Sequence, residues 1–394
     1  MELTLFVDHQ CNLRCTYCYN GEKFSRRMSR EVLVEAARLA LGKARDVLHV
    51  SFFGGEPLLH PEFIEEAATL FEREAERLAP GLALRFIMNT NGTLLDDRAI
   101  RILSAPRQFL VNVSLDGAPE VHDKVRLTAG GKGTYDAVDR GLRRLRDAGI
   151  PYQLLSVVGP SGARALGSTV ATLLALAPEK AQLSVDYRAP WTIESLGWLR
   201  DGLRDAGDAW MAAFRAGKVV PLNPLHGKIL AHLHGGMPCA SRCLLANGEL
   251  TVAPSGNLYP CGQMVGEDDD PALVIGHVST GVEPPRVAAL QAARDRIDET
   301  CGECELLDRC QSQCGCRHVA LTGELGRVTA ALCETEAAFI DEADRVAEVL
   351  YAERCPAFVS YYYDRAWGMT PGAKLVTLRR PVRDGAPEAT TPRS

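Results

Sequence analysis

Short apolar runs alternate with amphipathic stretches from residue 3 to about residue 190. Runs at 3–7, 48–53, 84–88, 110–114, 153–158 and 183–187 have the length and apolar content of buried strands. The spacing between them predicts helices. Residues 28–45 keep Val32, Leu33, Ala36, Leu39 and Ala40 at helical spacing, with Ser29 as the N-cap. Pro61 opens a second helix that carries Phe63, Ile64, Ala67, Ala68 and Phe71. Residues 135–148 set Val138, Leu142 and Leu145 on one face and stop at Gly149. Strand and helix in alternation predict βαβ units on a parallel sheet. Six units fit a partial (β/α)6 barrel of the α/β class and fall short of the full eightfold barrel.

The pattern changes further along. Residues 205–216 read as another helix and 221–238 as a connector. Residues 249–253 and 257–260 flank Pro254-Ser255-Gly256 as a hairpin, and 334–351 form an amphipathic helix. The expected division is a barrel over 1–220, a connector over 221–238 and a cysteine-rich domain over 239–335. A C-terminal helix and extension over 336–375 follow, then a disordered tail over 376–394, rich in Arg, Pro, Thr and Ala.

Composition narrows the classes. The 394 residues suffice for two domains, and 46% hydrophobic with 24% charged residues is ordinary for a globular chain. No apolar run approaches the roughly 18 residues of a membrane span, and no export signal opens the sequence, so a cytoplasmic protein is expected. A net charge of −6 gives no support to nucleic-acid binding. Thirteen cysteines at tight spacings, without an export signal, favour metal or cluster binding over disulfides. Three lie before residue 20 and the other ten from Cys239 onward.

Cys11, Cys15 and Cys18 follow the first predicted strand at the spacing C-x3-C-x2-C, which can hold three corners of a cubane cluster and leave one iron to another ligand. Alone, the three also fit part of a zinc site. Ligands of parallel βα folds collect at the C-terminal strand ends. The next three strand ends carry Gly54-Gly55-Glu56-Pro57, Asn89-Thr90-Asn91-Gly92 and Ser114-Leu115-Asp116-Gly117. Downstream, Cys301-x2-Cys304-x5-Cys310-x3-Cys314 is preceded by Cys239, Cys243 and Cys261 and followed by Cys333; the C-x2-C pair also suits a zinc ribbon. Cys316 and Cys355 are left over and read as buried, inert thiols, although Cys316 can compete with Cys314.

These motifs, in this order over residues 1 to about 190, resemble the radical S-adenosylmethionine superfamily. The resemblance implies that Cys11, Cys15 and Cys18 bind a 4Fe–4S cluster whose fourth iron is chelated by S-adenosylmethionine. It implies that Tyr17 lies at the adenine, that Gly54, Gly55 and Pro57 shape the cofactor loop, and that Glu56 accepts from the methionyl ammonium. Asn89 lies on the same rim, and Ser114 and Arg126 match positions that hold ribose or carboxylate. The later cysteines resemble the SPASM extension. By that resemblance Cys239, Cys243, Cys261 and Cys314 bind one auxiliary cluster and Cys301, Cys304, Cys310 and Cys333 a second, giving three 4Fe–4S clusters.

The implied activity is reductive cleavage of S-adenosylmethionine to a 5′-deoxyadenosyl radical, which abstracts hydrogen from a substrate, with an auxiliary cluster accepting an electron. Relatives of this arrangement mostly modify peptides or proteins, so the expected substrate is a ribosomally made peptide that is crosslinked or oxidised. The expected electron donor is of the flavodoxin or ferredoxin type. Sulfatase-maturing members carry an Asp after the cysteine matching Cys261; Gly262 stands here and counts against formylglycine formation. The first strand starts at residue 3, leaving no room for an N-terminal leader-binding domain, so the leader is expected to bind another surface or a separate leader-binding protein. Asp116, Asp186 and Tyr187 are candidates for substrate contact or proton removal. As alternatives, Asp116 caps a turn, Asp186 is a turn residue and Tyr187 packs. A small-molecule radical enzyme and a non-catalytic metal protein are the rival readings.

Overall fold

All six apolar runs of the first half form strands: β1 (Glu2–Phe6), β2 (Val47–Phe53), β3 (Ala83–Thr90), β4 (Leu110–Ser114), β5 (Tyr152–Val158) and β6 (Lys180–Val185). They pair in that order, all parallel. The computed structural model describes residues 1–364 except 105, 108, 237–242, 244, 297, 298, 312 and 313. Cys239, the part of the expected extension beyond 364 and the expected disordered segment lie outside the described residues.

Parallel neighbours need crossovers, and helices supply them. These are α1 (Arg30–Leu41), α2 (Pro61–Leu78), α3 (Asp97–Leu103), α4 (Pro119–Val125), α5 (Tyr135–Asp147) and α6 (Leu166–Ala175). Ser29 caps α1 by accepting the Val32 N–H (3.3 Å), as expected, and Asp96 caps α3 through Ala99 (2.9 Å). Successive strand residues point to opposite faces. On β4, Val111 and Val113 are buried in the main core while Asn112 and Ser114 face a cavity; on β5, Leu154 is in the core while Leu155 and Val157 face the cavity. The sheet thus has one apolar face and one partly polar face at its C-terminal end.

Two expectations change. The helix expected at 205–216 is α7 (Ile193–Arg215), begun by a capping box of Thr192 and Ser195 and buried along Leu199, Leu203, Ala206, Trp210 and Phe214. The expected connector holds structure of its own: β7 (Leu222–Asn223), parallel to β6, and α8 (Leu225–Leu233). Leu225, Ile229 and Leu233 recur at helical spacing and are almost fully buried, which draws this segment into the core.

The cysteine-rich half shares the sheet. β8 (Glu249–Val252) pairs parallel with β1, in the register Leu5 to Val252. β9 (Asn257–Tyr259) completes the expected hairpin, and β10 (Gly276–His277) and β11 (Gly281–Val282) extend it. The order is β11-β10-β9-β8-β1-β2-β3-β4-β5-β6-β7. α9 (Pro284–Arg294), α10 (Gly315–Thr322), α11 (Ala330–Ala352) and α12 (Pro356–Tyr363) follow, with α11 packed on α7 and α8. Among the described residues no helix is long and apolar enough to cross a membrane.

Candidate active site

The loop after β1 is held before any ligand is considered. Asp8, 1% exposed, accepts from the Gln10 and Arg26 amides (3.0 and 2.9 Å) and pairs with His60 Nε2 (2.7 Å). The loop after β2 lies directly against it: Gly55 N–H donates to Asp8 O (2.8 Å) and Glu56 N–H to Gln10 O (3.0 Å). This approach requires both glycines. Gly54 has φ +126°, and a Cβ on Gly55 would meet Gln10 O at 2.1 Å. Beyond Cys11, Leu13 bridges to Thr128, while Arg14 and Thr16 donate to Leu127 and Val125 (2.7 and 2.9 Å). The cysteine loop is therefore clamped between the Gly-Gly turn and the segment around Arg126.

Cys11, Cys15 and Cys18 line one cleft with Tyr17, Gly54, Gly55, Asn89, Ser114 and Arg126. The cleft holds about 1300 Å³ of space, the open mouth included. Burial pushes the Cys11 thiol up to about 11, with the neighbouring Glu56, Cys15 and Cys18 adding to the rise against the Leu13 N–H. Burial also raises Cys15, opposed by Arg126. Buried thiols of this kind stay protonated until a metal displaces the proton.

Two expected residues have different surroundings from those anticipated. Glu56 is 1% exposed and absent from the cleft wall: its oxygens accept from Leu58 N (3.0 Å), Thr90 Oγ1 (2.8 Å) and Asn91 N (2.7 Å). Burial raises its carboxyl to about 7, against those three donors. It ties the β2 and β3 loops together and caps the short turn that Pro57 begins. Asp116, 2% exposed, pairs with Arg126 Nε (2.9 Å) and accepts from the Tyr17 hydroxyl (2.5 Å) and Val157 N (2.8 Å). An aspartate held by a guanidinium and two further donors is poorly placed to take a proton from a substrate. It positions Tyr17 and Arg126, whose guanidinium lies 5.3 Å from the Tyr17 ring centre. Under it, His122 Nδ1 accepts the Asp116 N–H (3.2 Å), and burial followed by Arg126 lowers this imidazole to about 4, so it is neutral.

Asn89 donates to Ser51 Oγ (2.8 Å) and Phe52 O (3.0 Å) and accepts from Asn112 (2.9 Å). The Asn112 oxygen, buried at the cleft wall, has no partner of its own. Asp186 and Tyr187 follow β6 and line the same cleft. The Asp186 carboxylate accepts the Arg188 N–H (3.1 Å). The Tyr187 hydroxyl is buried without a partner, and Arg317 lies 5.0 Å from its ring centre. Arg317 is in turn held by Glu336, which also binds Lys228 (2.5 Å); both Glu336 and Lys228 are 2% exposed.

The later cysteines fall into different settings. The Cys314 and Cys316 sulfurs lie 3.2 Å apart, with Cys243 and Cys261 as neighbouring thiols. Cys301 and Cys310 are buried, while Cys304 and Cys333 are exposed. Among the described residues no three His, Cys, Asp or Glu groups converge on one point as a single-ion site. Thiolates on separate irons of a cluster have no need to converge. The donor sets fit cluster ligation: three thiols at a polar cleft, and a second group of thiols beyond it. Sequence reasoning missed Asp8, Asn112, Tyr19, Arg188, Gln263 and Arg317, and read Cys316 as a leftover thiol that can compete with Cys314. Tyr19, Arg188 and Gln263 lie within two residues of Cys18, Tyr187 and Cys261, a local signal that went unused; Asp8, Asn112 and Arg317 reach the site through folding.

Residues 7–162 match the radical SAM superfamily. The chain is 26% identical over 277 residues to a cysteine-type anaerobic sulfatase-maturating enzyme of Clostridium novyi, covering 64% of this chain and 70% of that protein. It is 25% identical over 337 residues to the PqqA peptide cyclase of Gluconobacter oxydans, covering 82% and 87%. The solved structure of native anSMEcpe with bound AdoMet superposes with a TM-score of 0.77 at 22% identity, over 90% of this chain and all of that one, and shares its fold.

Proposed function

From a chain that carries a radical SAM domain and is related to the anaerobic sulfatase-maturating enzymes, we propose a radical enzyme that modifies a peptide or protein substrate. The relatives named for peptide and sulfatase substrates support that class. The observation that carries the reading is one cleft lined by the cysteine triplet and Gly54-Gly55 together with Asp186, Tyr187 and Arg317. When bound, the 4Fe–4S cluster and S-adenosylmethionine supply reductive sulfonium cleavage and hydrogen-atom abstraction.

The residues of this chain bind, orient and enclose. Cys11, Cys15 and Cys18 are the cluster thiolates. Gly54 and Gly55 give the cofactor a wall free of side chains, and Asn89, Asn112 and Ser114 offer it polar atoms. Arg126, fixed by Asp116, is a fork for its carboxylate. Asp186 and Tyr187 face the substrate. Two auxiliary clusters complete the set: one uses Cys243, Cys261 and Cys314, with Cys239 as the fourth cysteine of the sequence pattern; the other uses Cys301, Cys304, Cys310 and Cys333. A flavodoxin- or ferredoxin-type donor and a separate leader-binding protein are the proposed partners in the cytoplasm. Gly262 leaves no carboxylate after Cys261 and favours peptide crosslinking or oxidation over formylglycine formation.

Reduced, anaerobic protein is expected to convert S-adenosylmethionine to 5′-deoxyadenosine and to change the mass of a precursor peptide encoded beside its gene. Turnover with an unchanged peptide overturns the substrate class; no cleavage overturns the enzyme.

A further inference from the structure

Cys316 reads in the sequence as an inert thiol, and its surroundings say otherwise. An inert cysteine packs among apolar side chains. The Cys316 sulfur instead lies 3.2 Å from that of Cys314 and has Cys261 as a further thiol neighbour. On the other side of Cys314, Cys243 is the neighbouring thiol. The four thiols form a continuous line, 243–314–316–261, from three separate segments: the loop before β8, the residue after Pro260 and the start of α10.

Local geometry explains the contact. Residues two apart on a helix do not face each other. Cys314 escapes that rule because it is the cap of α10, with extended φ −74° and ψ 104°, whereas Cys316 lies inside the first turn. The buried Gly315 between them lets Leu325 and Leu245 close in; a Cβ there would meet them at 3.0 and 3.2 Å. Arg294, 8% exposed, holds the Cys243 carbonyl (2.7 Å) and fixes the far end of the line. Arg317 follows Cys316 and supplies positive charge beside the thiols. Cys316 also lines the cleft that holds Cys11, Cys15 and Cys18.

We propose that Cys316 is a ligand of the first auxiliary cluster, completing a set of four with Cys243, Cys261 and Cys314 in the place that the sequence pattern gives to Cys239. The inference rests on the three-cluster reading. Four protein thiolates leave that cluster no open iron, so it does not bind substrate directly. One of its ligands then forms part of the wall that the substrate touches.

The test is anaerobic reconstitution with iron and sulfide of the full chain and of Cys316→Ser, Cys316→Asp and Cys239→Ser, read by iron analysis and by electron paramagnetic resonance of the reduced clusters. About twelve irons in the unmodified chain supports three clusters, whereas about four sinks that reading itself. Given twelve, Cys316→Ser is expected to fall to about eight and to lose one cluster signal, with Cys239→Ser unchanged. Cys316→Asp, which offers an oxygen ligand, is expected to keep its iron with a shifted signal, which separates ligation from a folding defect. Full iron with an unaltered signal in both Cys316 variants overturns the proposal, as does loss of the signal in Cys239→Ser.

Discussion

The two walls of the cleft are built by opposite means. The wall at the ends of β1 to β5 is held by the protein itself: Asp8, Glu56 and Asp116, each buried, together accept from backbone and side-chain donors of several loops. Its thiols sit in a frame that exists without them. The cysteine-rich wall has strands of two to four residues, and its thiols touch one another. Short elements with little core gain their order from bound metal. One wall is a socket for a cofactor, and the other is organised around one.

The strongest test of that contrast is Cys15→Ser. It is expected to abolish S-adenosylmethionine cleavage while leaving the thermal midpoint nearly unchanged, because the loop is clamped by other residues; a large fall in the midpoint would erase the distinction. Next comes Asp116→Ala, which strands the buried Arg126. Breaking a buried pair costs about 3–5 kcal/mol, so denaturant unfolding should register a loss of that size together with weaker cofactor binding. Iron removal by a chelator should then act regionally. Hydrogen exchange is expected to rise over the described parts of 243–333 and to stay low in β2 to β5; uniform loss of protection would contradict the comparison.

The smallest effect lies at the seam. Glu249 on β8 pairs with Glu2 on β1, and burial, then Glu2 and Cys243, raises its carboxyl to about 7. An acid whose folded value is raised favours folding below its unfolded value, and that contribution is lost as pH rises through about 7. Glu249→Gln should therefore raise the melting temperature by about 1–3 °C near pH 8 and change it little near pH 5.

Legibility in the sequence followed locality. The cysteine triplet, the Gly-Gly turn, the hairpin around Pro254-Ser255-Gly256 and the cap at Ser29 are written in adjacent residues, and all form where expected. Tyr187 was read inside its strand but falls after β6, because apolar character continues past the point where pairing stops. β7 and α8 were read as connector since a two-residue strand has no period to detect. Glu56 and Asp116 were legible as chemistry, while their partners at Thr90, Asn91, Arg126 and Val157 depend on how the loops meet. Arg317 is held at the cleft by Glu336 on α11, a pairing that no local pattern announces.

The parallel pairing of β8 with β1 sets the order in which this chain can be made. β1 leaves the ribosome first, but the strand that covers its second edge is encoded only at Glu249–Val252. Throughout synthesis of the intervening barrel, the strand that launches the cysteine loop has an open row of N–H and C=O groups, a template for pairing with the wrong chain. Release of the nascent chain before β8 emerges leaves that row exposed, so fragments ending in the barrel should aggregate where the longer chain stays dispersed.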